Sequence, residues 1–253
     1  MSEYQFTKRD RDGSIKNCGY MKIVDQTDTD NAELYFYGDI CGSQWESMYL
    51  EENKAPQDVA DFLHTLDGKK KVDVYINSGG GDVFGGMAIY NILSRYEGET
   101  VAHIDGIAAS IAGIIPFACD KVVAKSSAQI MLHKPWAICA GNADDMKKCI
   151  ETLNTCEKSI IDIYSEHAVN GTTPEKIKSM IDRETWLTCG EAQQYFNIEV
   201  EQGEAPQACY SEYFKSYNNI PDSLKKDSEP VNHREKEKLQ LELDCIKLKN
   251  NIK

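Results

Sequence analysis

A single serine in a run of small residues is the first feature of this sequence that could perform chemistry. Ser110 ends the stretch 106–110, GIAAS, and directly precedes the apolar segment 111–119. Small neighbours would let a substrate carbonyl reach the serine Oγ, and the N–H of the following residue could face a developing oxyanion. The pattern predicts either a nucleophile or an ordinary serine N-cap at the start of a helix.

A histidine that could activate this serine stands at the end of another apolar stretch. His133 follows Met131 and Leu132, and Pro135 comes two residues later, where a proline would end strand pairing. An imidazole at the rim of a sheet could take a proton from Ser110, although a histidine satisfied within the core would show the same pattern. The remaining histidines lie in polar helical segments, in a strand or in the tail: His64, His167, His103 and His233.

The glycine-rich turn at residues 77–82, NSGGGD, lies between a strand pattern and a helix pattern. Glycine lets the backbone adopt a positive φ and lets a ligand approach closely, and successive N–H groups of such a turn can point into one cavity. The lysine of a phosphate-binding loop and the G-x-G-x-x-G spacing of a dinucleotide site are both absent from this motif. The turn therefore predicts either a flexible connection or a donor to an oxyanion.

A carboxylate would be needed to orient the imidazole of a serine–histidine pair. Asp182 and Glu184 precede the segment TWLT at 185–188, but acidic residues are common in this chain and position alone does not choose between them.

The nine cysteines are odd in number and contain no C-x-x-C pair, so we expect reduced thiols that pack as small hydrophobes. The sequence accordingly predicts no metal site and no cofactor.

Strand and helix patterns alternate through the part of the chain that carries these residues. Strand patterns cover 34–37, 71–76, 100–104, 121–124 and 129–132. Helix patterns cover 44–66, 83–93, 111–119, 142–168, a segment starting at Thr173-Pro174, and 190–196, with a tight turn at 106–110. This alternation predicts βαβ units and hence an α/β fold with a largely parallel sheet.

Composition divides the chain into three parts. Residues 1–31 are polar and predict an N-terminal arm or loop, residues 32–204 hold the alternating elements, and residues 205–253 form a charged linker and tail. Apolar residues at helical spacing within 239–252 predict either a marginal amphipathic helix or a frayed, charged end.

The overall composition excludes several classes of partner. The chain has 253 residues with 28 Lys and Arg against 41 Asp and Glu, and the resulting net charge of −13 would repel the phosphate backbone of a nucleic acid. The longest apolar stretch, 107–119, contains a proline and is too short for a bilayer core of about 30 Å. The polar start lacks the apolar h-region of a signal peptide, so we expect a cytoplasmic protein.

Four segments, taken in order, carry a resemblance to a known family. YINSGGGDVFGGMAIY, GIAASIAG, IMLHKP and RETWLTCGEAQQYF closely resemble the proteolytic subunit of the Clp protease, and within it the divergent phage and prophage forms, over residues 33–200. The resemblance implies a crotonase-like spiral of ββα units with a mostly parallel sheet, and a triad in the chain order serine, histidine, acid. The residues that it implies are the triad Ser110, His133 and Glu184, with Asp182 in reserve, and the oxyanion donors Gly81 and Ile111.

The chain departs from the family pattern at positions that matter for this chemistry. The family's S-P-G-G turn is Ser78-Gly79-Gly80-Gly81 here, so a rigid proline is missing, and the position of the triad aspartate holds Glu184. Glutamate is one methylene longer but could accept the same hydrogen bond from the imidazole. Residues 1–31 and the region beyond 205 also differ from the housekeeping enzyme.

The resemblance implies a serine endopeptidase that cleaves polypeptides, without metal or cofactor, inside homo-oligomeric rings of seven subunits that can stack. For a phage or prophage form, we expect capsid or scaffold proteins as partners and substrates, in a bacterial or phage-infected host. A general ATP-dependent peptidase served by a Clp ATPase is the alternative. A crotonase-type acyl-CoA enzyme and a non-catalytic assembly module are alternatives from other classes. The helix at 142–168 matches the family's segment that joins two rings.

Overall fold

The computed structural model describes residues 2–9, 15–23, 31–42, 55–66, 71–203 and 211–221. The chain divides into two units, Met1–Asn219 and Ile220–Lys253. Only the first two residues of the second unit are described, and the predicted helix within 239–252 lies outside the described residues. The fold and the site below belong to the first unit.

Nine strands and five helices make up the described part of this unit. The strands are β1 (Ser2–Arg9), β2 (Ile15–Ile23), β3 (Asn31–Tyr37), β4 (Lys71–Ser78), β5 (Glu99–Ala109), β6 (Lys121–Lys125), β7 (Gln129–Leu132), β8 (Thr185–Thr188) and β9 (Glu199–Glu201). The helices are α1 (Pro56–Thr65), α2 (Val83–Leu93), α3 (Ala143–Glu166), α4 (Pro174–Asp182) and α5 (Cys189–Ala192). Short 3₁₀ turns cover Ser110–Gly113, Ile115–Ala118 and Glu212–Ser216.

A seven-stranded sheet forms the centre of the fold. Its main path runs β3-β4-β5-β6-β9, and β7 pairs with both β5 and β8. Every pair in it is parallel except β7 with β8. The predicted α/β class with a mostly parallel sheet is therefore confirmed. Apolar side chains of the central strands and of the covering helices make one buried core, which holds the ends of the strands rigidly.

Strand β5 joins the two halves of the sheet because its two ends pair with different neighbours. Residues 101–104 pair with β6, and residues 107–109 pair with β7. The predicted tight turn at 106–110 is wrong, since the strand continues through Ala109. The small side chains there allow the neighbouring backbones to approach closely instead of marking a turn. The apolar segment that follows forms two 3₁₀ turns rather than one helix, because Pro116 lacks the N–H that a continuous helix would use.

Several helix boundaries follow from capping chemistry. Asn142 caps α3 by accepting hydrogen bonds from the N–H groups of Asp144 and Asp145, and Thr173 caps α4 with a proline at its first position. The predicted helix at 190–196 is shorter and starts earlier, as α5. The predicted helix at 44–66 is observed as α1, and residues 43–54 lie outside the described residues.

The N-terminal region contains more regular structure than an arm or loop. β1 and β2 pair with each other as a separate antiparallel two-stranded sheet within residues 1–31. Across the described ranges, no helix is both long and apolar enough to cross a membrane.

The expectation that all cysteines are reduced is wrong for one pair. Cys139, in the loop that precedes α3, and Cys149, within α3, form a disulfide with their Cα atoms 6.7 Å apart. Four other described cysteines form no disulfide and are buried: Cys41, Cys119, Cys156 and Cys189. Burial raises the pKa of the Cys119 and Cys189 thiols to about 12, so both are neutral packing groups at neutral pH.

Candidate active site

The glycine turn that follows β4 is held in a backbone conformation that side chains disfavour. Gly80 and Gly81 have φ values of +106° and +148°. A Cβ at Gly80 would lie 2.7 Å from the Cβ of Ser110, and a Cβ at Gly81 would collide with the carbonyl oxygen of Ile40. Glycine is therefore required at positions 80 and 81 for the turn to pass between Ile40 and Ser110.

Gly81 forms an isolated parallel bridge with Ile40. The Ile40 N–H donates to the Gly80 carbonyl at 2.8 Å, and the Asp82 N–H donates to the Ile40 carbonyl at 2.9 Å. Both hydrogen bonds of this bridge are made by the residues on either side of Gly81, namely Gly80 and Asp82. The N–H of Gly81 itself is therefore directed away from Ile40. Gly81 also lines the cleft that contains Ser110.

Ser110 and His133 meet because the strands that carry them are neighbours. The register of β5 with β7 pairs Ala109 with Met131, so the two strands end side by side at the same edge of the sheet. The Ser110 Oγ lies 2.6 Å from the His133 Nε2. Ser110 has a φ of +56°, an unfavourable value for a non-glycine residue of the kind that is often found at active sites.

The environment of His133 favours a neutral imidazole. Burial lowers the pKa of His133 below its usual value, and the charge of Glu184 opposes this shift only in part. At neutral pH the imidazole is therefore largely uncharged, and its Nε2 can accept the Ser110 proton while Nδ1 carries the ring hydrogen. A neutral base within hydrogen-bond distance of a hydroxyl is the arrangement that general-base catalysis requires.

Glu184 is buried beside this pair but is hydrogen-bonded elsewhere. Its Oε2 accepts from the backbone N–H and the side-chain amide of Asn218, both at 2.9 Å, and its Oε1 accepts from the Asn219 N–H at 2.6 Å. Among the described residues, the only hydrogen bond of the His133 ring is the one to Ser110. The expected hydrogen bond from the imidazole to Glu184 is therefore not formed, and Glu184 acts on His133 through its charge.

The carboxylate of Glu184 remains ionised in this setting. Burial alone would raise its pKa, but the hydrogen bonds from the backbones of Asn218 and Asn219 outweigh burial and hold the pKa below the usual value. Asp182, the reserve candidate, is exposed and forms ion pairs with Lys134 at 2.8 Å and Lys178 at 2.9 Å. Of the two carboxylates, Glu184 is thus the one whose charge acts on the imidazole.

Ile111 places its backbone next to the serine at the start of a 3₁₀ turn. The first N–H groups of a helical turn have no partner within that turn, so they are available to a ligand. The Ile111 side chain is buried against Gly86, where a Cβ would collide with it. Ile111, Ser110 and His133 line one small cavity, so both predicted oxyanion donors lie beside the serine.

Sequence reasoning missed a segment that contributes to this site, residues 211–219. The Ser211 hydroxyl donates to Asp39 at 2.5 Å, and the Tyr217 hydroxyl donates to the Gly79 carbonyl at 2.5 Å. The Tyr217 ring also lies edge-on to the His133 ring, with centroids 5.0 Å apart. The sequence predicts a charged linker over these residues, although the aromatic-rich string YSEYFKSY at 210–217 is a signal for packing that could have found them.

A cleft of about 810 Å³ opens over Ser110 and His133. Phe84 and Trp136 line it and are 63% and 49% exposed, so its walls offer apolar surface to a ligand. Within the described residues, no cluster of three or more His, Cys, Asp or Glu side chains is placed to hold a metal ion. The arrangement is suited to nucleophilic attack on a carbonyl of an extended, partly apolar substrate.

Comparison with known proteins identifies a family and several relatives of this chain. A family profile described as Clp protease matches residues 50–199. The chain is 29% identical over 140 residues to the ATP-dependent Clp protease proteolytic subunit of Bacteroides fragilis, which is 54% of this chain and 67% of that protein. It is 34% identical over 136 residues to subunit 1 of Streptomyces coelicolor, covering 53% of this chain and 61% of that protein. It is 31% identical over 149 residues to subunit 2 of Rhodococcus jostii, covering 58% of this chain and 75% of that protein.

Proposed function

Because the chain belongs to the Clp protease family, we propose that it is a serine endopeptidase in which Ser110 is the nucleophile and His133 the general base. The observation that carries this proposal is the 2.6 Å separation of the Ser110 Oγ and the His133 Nε2 at the floor of an open cleft. A hydroxyl paired with a neutral imidazole is a standard arrangement for activating a nucleophile. An acyl-CoA enzyme of the crotonase type would not need this pair, and an assembly module would need neither residue.

In the proposed reaction, Ser110 attacks the carbonyl carbon of a peptide bond while His133 takes the hydroxyl proton. The N–H groups of Gly81 and Ile111 hold the oxygen that becomes negative in the tetrahedral intermediate. His133 then gives the proton to the leaving amine, which departs and leaves an acyl group on Ser110. Water, deprotonated by the same imidazole, releases the acyl group and restores the serine.

Glu184 is the proposed third member of the triad, acting without a hydrogen bond to the imidazole. When His133 takes the proton it becomes positively charged in a partly buried place, and a nearby anion lowers the energy of that state. The three hydrogen bonds from Asn218 and Asn219 keep Glu184 ionised for this purpose.

The direct test is covalent labelling with a fluorophosphonate, which reacts with activated serines. We expect the wild-type chain to be labelled at Ser110, and Ser110→Ala to lose both the label and the cleavage of peptides while keeping its fold and assembly. Ser94→Ala is the matched control, because Ser94 is an exposed serine at the end of α2 and should leave labelling unchanged. Labelling that persists in Ser110→Ala would remove Ser110 from this role.

We further propose that the physiological task is that of a phage or prophage protease that processes capsid or scaffold precursors. Support comes from the departures at the catalytic centre, namely the glycine that replaces the proline of the family turn and the glutamate at the position of the triad aspartate. Portal and capsid genes beside the coding sequence, and cleavage of the encoded scaffold protein in vitro, are the expected results. Degradation that depends on ATP would contradict this task.

A general ATP-dependent Clp peptidase is the second candidate, and the names of the relatives favour it. All three of the relatives described above carry the name ATP-dependent Clp protease proteolytic subunit. This candidate predicts that a Clp ATPase co-purifies with the chain and that folded substrates are degraded only when ATP is present. Hydrolysis of short peptides alone, with no ATPase bound, would count against it.

A homo-oligomeric ring of seven subunits, single or stacked, belongs to the same proposal. Two large apolar side chains near α3 support it, because Ile138 and Ile150 are 90% and 57% exposed in the single chain and would be buried by a neighbouring subunit. Native mass spectrometry should give seven or fourteen copies, and a monomeric mass would contradict the ring.

We also propose that the protein is located in the cytoplasm. The four buried cysteines that form no disulfide support that location, whereas the Cys139–Cys149 disulfide counts against it.

A further inference from the structure

The glycine turn poses a positioning problem that the Ser110–His133 pair does not. An N–H group stabilises an oxyanion well only if it is already aimed at the place where the charge develops. The turn here consists of three consecutive glycines, Gly79, Gly80 and Gly81, which have more conformational freedom than any other residues. The Ile40 N–H already holds the Gly80 carbonyl, and with it the peptide that carries the Gly81 N–H, so the preceding Gly79–Gly80 peptide needs a contact of its own if the whole turn is to be preorganised.

Tyr217 supplies such a contact from a distant part of the sequence. Its hydroxyl donates a 2.5 Å hydrogen bond to the carbonyl of Gly79, the first glycine of the turn. Burial raises the pKa of the Tyr217 phenol, so the hydroxyl keeps its proton and remains a donor. Since a peptide unit is planar, fixing the Gly79 carbonyl also fixes the Gly80 N–H, while the Ile40 N–H fixes the following peptide through the Gly80 carbonyl.

The same ring also limits the position of the base. The Tyr217 side chain is 8% exposed and lies edge-on to the imidazole of His133, with Trp186 packed against its other side at 6.1 Å between ring centroids. One side chain thus contacts the glycine turn through its hydroxyl and the imidazole through its ring. A substitution that keeps the ring but removes the hydroxyl separates these two contacts.

The backbone around Tyr217 is anchored on both sides, so the contact is a fixed part of the fold. Upstream, Ser211 packs on Gly79, where a Cβ would collide with it, and its hydroxyl is held by the buried Asp39 at 2.5 Å. Downstream, the N–H groups of the next two residues are hydrogen-bonded to the buried carboxylate of Glu184. These anchors hold the Tyr217 hydroxyl in place relative to the sheet.

We propose that Tyr217 is a positioning residue that holds the glycine turn through the Gly79 carbonyl, so that the Gly81 N–H is presented to the oxyanion. This inference rests on the proposed peptidase function. Tyr217 would replace the rigidity that a proline supplies in the family's turn. The restraint then comes from a side chain in residues 211–219 and not from the turn itself. The residue acts on the turn through Gly79, and its hydroxyl also lies within hydrogen-bond reach of the Ser110 side chain.

The test is Tyr217→Phe in the full chain, assayed with an N-blocked short peptide that carries an apolar residue before an aminomethylcoumarin leaving group. Rates are divided by the concentration of Ser110 that a fluorophosphonate titrates to completion, so that unfolded protein does not count. We expect kcat to fall about tenfold, with KM within twofold of the wild-type value. A peptide boronic acid, whose tetrahedral adduct places an oxygen at the same amides, should lose affinity by the same factor.

Tyr195→Phe is the matched control, because Tyr195 is a half-buried tyrosine packed against Phe196 and Lys176 rather than at the cleft. It should leave kcat and the boronic acid affinity unchanged. The proposal is overturned if Tyr217→Phe keeps both quantities within twofold of wild type, or if KM rises while kcat is unchanged. Failure of the peptidase proposal itself is a different result, in which the wild-type chain is not labelled at Ser110 at all.

Discussion

The two sides of the candidate site are built by different means. Ser110 and His133 stand at the ends of adjacent strands of the central sheet, and their separation is set by the register of β5 with β7. The acid side consists of Glu184 and the glycine turn, which are held by hydrogen bonds from residues 211–219. The family profile ends at residue 199, so it includes the first side in full and leaves out the segment that organises the second. The buried core therefore sets the separation of Ser110 and His133, whereas a few polar contacts set the positions of Glu184 and the glycine turn.

The largest effect is expected from the side that the sheet determines. His133→Ala removes the base from a pair that otherwise stays in place, and kcat should fall on the order of 10³-fold or more, with little change in thermal stability. His103→Ala is the control, because His103 lies on the sheet and is bonded to Asp73 at 2.9 Å, away from the cleft. Steady-state kinetics with a fluorogenic peptide measures both. Equal activities in the two variants would show that the imidazole at 133 is not the base.

The next effect tests whether the glycine turn needs its conformation for chemistry or only for folding. Gly81→Ala introduces a Cβ that collides with the Ile40 carbonyl at a φ of +148°, so we expect kcat to fall about 10²-fold or more and the melting temperature to drop. Gly203→Ala is matched to it, because Gly203 has the same φ but a Cβ there would meet only the Lys125 Cδ, at an ordinary contact distance of 3.5 Å. That control should lower only the melting temperature. A similar loss of kcat in both would mean that backbone strain alone explains the result.

A smaller effect should show whether Glu184 or Asp182 is the carboxylate that acts on His133. Glu184→Gln removes the charge that partly opposes the lowering of the His133 pKa, so the imidazole should stay neutral to a lower pH. The acidic limb of the profile of kcat/KM against pH, which lies below about 6.5 in the wild type, should therefore move further down. We expect kcat to fall about tenfold, because the imidazolium loses its counter-charge. Asp182→Asn should change neither, since Asp182 is an exposed partner of Lys134 and Lys178.

The result that would contradict this account is a limb that moves to higher pH in Glu184→Gln. Such a shift would mean that residues 218–219 detach, that water reaches His133, and that Glu184 acts mainly as their anchor. An effect of Asp182→Asn equal to that of Glu184→Gln would instead show that the wrong carboxylate was assigned.

The sequence made the first side of this comparison predictable and left the second largely hidden. Strand alternation predicted the parallel sheet, and the motifs at Ser110 and His133 placed each residue at the end of a strand, while only the family resemblance implied that the two act together. They meet because parallel strands end at the same edge of the sheet. The role of residues 211–219 could not be read in the same way, since hydrogen bonds between Asn218 and Glu184 have no periodic pattern in the sequence. The length of β5 was also missed, because small residues such as Gly106 and Ala109 serve equally in a turn and in a closely packed strand.

The smallest effect is expected from the side chain of Asn218, and it tests how the acid side is held. Asn218→Ala removes the 2.9 Å bond from the amide nitrogen to Glu184 but leaves the two backbone bonds of residues 218 and 219. The side chain is exposed, so its loss should destabilise the fold by about 1 kcal/mol and leave kcat within twofold of wild type. Asn219→Ala is the companion variant. The side-chain amide of Asn219 donates to the backbone carbonyls of Arg183 and Glu184 and not to the carboxylate of Glu184. A tenfold loss of kcat in Asn218→Ala alone would mean that this side chain, and not the backbone donors, orients the carboxylate toward His133.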